Sequence, residues 1–171
     1  MVIRIIDKLL FAALFLLALQ IPILSDHYLQ YLSGYYDATL AETKATAELA
    51  NTHGYASVSD MIDELKTNDA PVVRDDALRK EAAFVTLLRL EEGVRTLKHG
   101  HYFEKVYYLL TPAHFETLSR VFDNFKPSIP LSPSAVVFSL VLALIVNMLL
   151  WTPHFCYCRL RKKAPRPYAY R

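Results

Sequence analysis

The sequence predicts an all-α protein: two transmembrane helices, one near each end, flanking a helical hairpin or small helical bundle. Three observations carry this expectation. Hydrophobic residues make up 53% of the chain, and the long apolar runs fall into two blocks. Charge is segregated between those blocks instead of being mixed along the chain. With four glycines and no sustained period-two alternation, no segment reads as a strand.

The first span follows a short start containing Arg4, Asp7 and Lys8. Leu9 to Leu19 reads LLFAALFLLAL, and the apolar character continues to Leu24. Sixteen residues give roughly 24 Å of helix, slightly short of a hydrocarbon core of about 30 Å. Ile5 and Ile6 extend it, with Lys8 snorkelling to the surface and Asp7 within helical reach of Arg4. A cleaved signal peptide is the rival reading. The stretch ALQIPILSD lacks a clear small-x-small cleavage site, and Asp7 is unusual in an n-region, so an uncleaved anchor is expected.

Beyond the first span, Asp26 to about Asn51 keeps a helical period, with Tyr28, Tyr31, Leu32, Tyr35, Tyr36 and Leu40 near one stripe. This helix is expected to continue out of the membrane, with Gly34 as a weak point and His53-Gly54 as its stop. Ser59 to Lys66 reads as a short helix capped by Ser59, and Thr67 to Pro71 as a turn. Asp75 to Lys98 is a strong helix closed by Gly100, and Thr111-Pro112 opens another running to Phe125. Lys126 to Pro133 is a proline-rich connector.

In the second span no charge occurs between Pro127 and Cys158. Ser132 and Pro133 suit an N-cap followed by a first-turn proline, whose missing N–H costs nothing there. Trp151, Phe155 and Tyr157 fit an interfacial aromatic belt. The expected organisation is an N-terminal segment (1–8), a first span (9–25), a helical domain (26–132), a second span (133–155) and a basic tail (156–171).

Orientation follows from charge. Ser25 to Ser132 carries eleven Lys/Arg against sixteen Asp/Glu, a net of −5, whereas the tail from Thr152 carries six basic residues and no acid. Positive residues are retained on the cytosolic side, which places both termini there and the acidic middle opposite. Cys156 and Cys158 then lie on the reducing side, and the exported part has no cysteine, so it relies on helix packing.

Candidate chemistry is sparse. His99, His101 and Glu104 could supply three metal ligands within six residues, yet they match no established spacing and read more simply as a polar turn between helices. His154, Cys156 and Cys158 would suit a soft metal if the backbone were extended, and otherwise read as the end of a membrane helix. Asn147, deep in the second span, is expected to face protein. Gln20 is its one comparable partner but lies about 13 Å away in depth, which leaves self-association or a backbone carbonyl. Tyr28, Tyr31 and Tyr35 are candidate interaction residues, and Arg159, Arg161, Lys162 and Lys163 suit anionic lipid headgroups. No nucleophile elbow, phosphate loop, zinc-protease helix or dinucleotide fingerprint occurs, so neither an enzyme, a cofactor nor nucleic-acid binding is expected.

Several stretches carry a family resemblance: Asp7-Lys8 before the first span, Gln20-Ile21-Pro22 at its exit, Tyr28-Leu29-Gln30-Tyr31-Leu32-Ser33-Gly34 beyond it, and Phe125 to Pro133 (FKPSIPLSP) before the second span. In these the chain resembles an uncharacterised bacterial family of short two-span inner-membrane proteins, a domain of unknown function. The resemblance implies a Gram-negative inner membrane and a periplasmic middle domain, and brings no activity. The function expected is an interaction, scaffold or accessory role for the periplasmic domain, working with itself or another membrane or periplasmic protein. The alternative is a small-ligand or metal sensor acting with a partner.

Overall fold

The computed structural model describes residues 2–162, with side chains described over 4–152. Among these residues there is no strand, and six α-helices follow one another: α1 (Val2–Thr52), α2 (Val58–Lys66), α3 (Pro71–His99), α4 (Tyr102–Leu110), α5 (Phe115–Asp123) and α6 (Pro133–Lys162). A 3₁₀ turn at Pro112–His114 precedes α5. The chain divides into two compact units, Met1–Ile23 with Lys126–Arg171, and Leu24–Phe125.

The first unit is a pair of apolar helices. Both α1 and α6 are long and apolar enough to cross a membrane. Ser132 caps α6 as expected, its Oγ accepting from the Ala135 N–H at 3.4 Å. The row Ala135, Ser139, Ala143 is buried at a spacing of four residues. Such small residues let two helix backbones approach closely. Opposite them, Ala18, Leu19 and Ile23 of α1 are buried.

The second unit is the central domain. α1 continues into it without a break, as its unbroken period predicts, and ends at Gly54, whose φ of 77° is a left-handed conformation that favours glycine. The Tyr55 N–H returns to Ala50 O at 3.0 Å and the Gly54 N–H to Asn51 O at 3.1 Å, which satisfies carbonyls that the helix end leaves open. The buried face of this segment is mostly small and polar: Thr39, Thr43, Thr46 and Ala50. Each threonine hydroxyl donates to a carbonyl three or four residues back, so these groups are buried without needing a cross-helix partner.

Two helix starts differ from expectation by about half a turn to one turn. Ser57, not Ser59, caps α2, its Oγ accepting from the Asp60 N–H at 3.1 Å. α3 begins at Pro71, not Asp75, because proline at the first helical position is pre-set for helix. Met61 and Ile62 of α2 are buried, as is Ala77 of α3, and Lys66 bridges the two helices to Glu81 at 2.7 Å. The segment after Gly100, expected as a polar turn, is the helix α4.

The core joins Tyr28 and Leu32 of α1, Leu90 and Leu97 of α3, Leu109 of α4 and Val121 of α5. Gly93 of α3 is a point of close approach, where side chains of α1 and α4 occupy the space a Cβ would take. A Cβ built there would meet the Tyr108 hydroxyl and, at 2.8 Å, Leu32 Cδ2. Gly34, by contrast, has open space, with nothing within 4 Å.

These two glycines give opposite expectations. Gly93→Ala should destabilise the domain by about 1–3 kcal/mol through overpacking. Gly34→Ala should stabilise it by about 0.5–1 kcal/mol, since alanine loses less backbone freedom in a helix. Thermal melting followed by circular dichroism checks both, and an unchanged Gly93→Ala midpoint would contradict the close approach.

Candidate functional site

The central domain contains a cleft of about 740 Å³ between α1, α3, the 3₁₀ turn and α5. That volume lies within the range of small-molecule sites. Tyr31 and Tyr35 line it from α1, Arg89 and Glu92 from α3, and Arg120 from α5. The helical period explains the set: Tyr28, Tyr31 and Tyr35 share one stripe of α1, and Arg89 and Glu92 are three residues apart on α3. Arg120 is held by Glu116 at 2.5 Å, and the carboxylate followed by the Tyr31 hydroxyl keeps its guanidinium pKa above the ordinary value.

Tyr108 of α4 reaches this cleft beside Gly93. Its ring stacks on His114 at 4.0 Å and meets Tyr28 edge-on at 6.2 Å. His114 Nδ1 lies 2.7 Å from the Tyr108 carbonyl, which only accepts, so this nitrogen carries the proton. Burial, then the neighbouring Tyr28 and Glu92, push the Tyr108 phenol up to about 12. Burial also raises Tyr28, offset in part by a hydrogen bond with Thr117.

The candidate interaction tyrosines separate in the structure. Tyr28 is buried in the core at 1% exposure and serves packing, whereas Tyr31 and Tyr35 remain exposed along the cleft. A feature the sequence reading missed is the outer face of α4. Phe103, Tyr107 and Leu110, at positions i, i+4 and i+7, are 65%, 79% and 61% exposed. The signal was present in the spacing, but was hidden because the segment was not read as a helix.

The metal candidates do not gather. Glu104 Oε2 accepts from the His101 N–H at 2.9 Å, a capping contact at the start of α4, and His99 ends α3. Among the described residues no three His, Cys, Asp or Glu side chains come together as a metal site. At 154, 156 and 158 the backbone is helical, not the extended loop that alternating ligands require. The side chains of His154, Cys156, Cys158, Arg159, Arg161 and Lys162, and the whole of Lys163, lie outside the described residues.

Asn147 finds a partner that depth-matching against Gln20 did not suggest. Its Nδ2 donates to Asp7 Oδ1 at 3.5 Å, a long contact, and its own Oδ1 is buried without a partner. Asp7 makes no ion pair with Arg4 within the described residues. Gln20 instead grips the connector: its Nε2 donates to Ser128 O and its Oε1 accepts from the Ser128 N–H, both at 3.2 Å. Pro22 explains another contact. It has no N–H, so the Ala18 carbonyl one turn back loses its helical donor. The Ser139 hydroxyl supplies one at 3.1 Å, shared with Ala135 O at 2.8 Å.

These elements define an all-helical protein with two helices able by length and composition to cross a membrane, and a helical domain between them. The chain belongs to the family DUF2937, described as proteins of unknown function, whose model matches residues 2–163. No curated protein and no solved structure matches it.

Two outcomes follow from this geometry. Ser139→Ala strands the Ala18 carbonyl and should lower stability by about 1 kcal/mol. In a Pro22→Ala background, where the helix again supplies an N–H, the same change should cost nearly nothing; additivity in this double-mutant cycle would refute the pairing. The second concerns alkali. The unfolded Tyr108 titrates near 10.0 and the folded one at about 12, so the unfolded chain loses its proton first. Stability associated with Tyr108 is therefore complete below pH 10.0 and falls as pH rises toward about 12. Tyr108→Phe should show a shallower alkaline decline in melting temperature over that window.

Proposed function

We propose that this chain is a non-enzymatic protein of the bacterial inner membrane, with both termini cytosolic and its acidic central domain in the periplasm as a helical hairpin or small bundle. It acts as an interaction, scaffold or accessory subunit, binding a second copy or another membrane or periplasmic protein. The charge distribution supports the orientation, since the basic cluster follows the second apolar span directly.

The observation that carries the interaction reading is the apolar outer stripe of α4. Three large side chains at i, i+4 and i+7 project from one face of a nine-residue helix, each more than half exposed. This is the spacing by which an amphipathic helix anchors in a partner groove. A face of this kind is costly in water unless something covers it.

A photocrosslinker placed at position 107 in native membranes should yield a discrete adduct. Tyr107→Asp should abolish the same adduct captured from position 103. The substitution should leave the melting temperature nearly unchanged, because the ring is 79% exposed. Recovery of the monomer alone at native expression would count against the reading.

A further inference from the structure

The cleft places unpaired charges of both signs on one wall. Arg89 and Glu92 line it from α3, and neither takes part in an ion pair among the described residues. Arg120, on the facing wall, is already held by Glu116. Beside Gly93, Tyr108 lines the cleft as well. Its phenol is a protonated hydrogen-bond donor at neutral pH. Tyr31 and Tyr35 add half-exposed aromatic rings on the α1 side.

This arrangement discriminates by charge. A simple anion attracted to Arg89 would meet the Glu92 carboxylate three residues away, and a simple cation attracted to Glu92 would meet the guanidinium. Like charges brought together in a partly desolvated cleft are disfavoured. A molecule carrying both charges side by side meets both residues favourably, while aromatic faces accept an apolar body.

We propose that the cleft binds a small zwitterion of the amino-acid class with an apolar or aromatic side chain. Its carboxylate engages Arg89 and the Tyr108 hydroxyl, its ammonium engages Glu92, and its body packs on Tyr31 and Tyr35. The proposal is independent of the outer face of α4, which is made of other residues.

The test is calorimetry on the full chain in mild detergent with three probes: L-phenylalanine, 3-phenylpropionate, which lacks the ammonium, and phenethylamine, which lacks the carboxylate. L-Phenylalanine should bind at least about tenfold more tightly than either of the others. Arg89→Gln should erase its advantage over phenethylamine, and Glu92→Gln its advantage over 3-phenylpropionate. Both side chains are exposed, so each variant should melt like the parent. Absence of saturable L-phenylalanine binding to the folded chain overturns the proposal. So does equal binding of the three probes, or unchanged selectivity in both variants.

Discussion

A helix in an apolar surrounding has to satisfy its backbone carbonyls from within the protein, and Pro22 breaks that requirement in α1 by removing one N–H. The Ser139 hydroxyl restores it at Ala18. A hydroxyl on one helix reaches a carbonyl on another only if the two backbones are close, and closeness requires small neighbours. Ala135 and Ala143, one turn either side of Ser139, provide them. The proline, the serine and the alanine row therefore form one device. Gln20 secures the adjoining connector through both backbone groups of Ser128.

The central domain meets the same constraint differently. Its buried threonines on α1, Thr39, Thr43 and Thr46, direct their hydroxyls to carbonyls of their own helix and so need no partner on another. At Gly93 the device is the absence of a side chain. Tyr108 occupies that space, and the stacked His114 and edge-on Tyr28 hold it there. The cleft is thus a by-product of close packing at one point and of bulky tyrosines beside it.

The sequence made some of this legible and hid the rest for identifiable reasons. Both apolar helices, the continuation of α1 past the first span and the Ser132 cap follow from unbroken periodicity and recognisable end signals. Ser57 and Ser59 both fit a cap by composition, and only the hydrogen bond to Asp60 separates them. α4 is nine residues long and rich in aromatics of modest helix propensity, so local pattern gave little support. It is held instead by Leu109 in the core and by the Glu104 contact at its start. The Asp7–Asn147 contact depends on the register of two separated helices, which reading each span alone does not supply. Tyr28 and Tyr31 look alike in a helical stripe, and only the neighbouring helices decide that one is core and the other cleft.

α4 also links two surfaces that sequence treats separately. Tyr107 and Tyr108 are adjacent, yet about 100° of helical rotation sends one to the exposed face and the other to the cleft. A contact made with the Tyr108 hydroxyl and a contact made with Tyr107 therefore bear on the same nine-residue element, seated against Gly93. If occupying the cleft alters the affinity of the outer face for a partner, reciprocity requires that the partner alter the cleft's affinity by the same factor. The packing of a single short helix against one glycine is where such an effect would have to be carried.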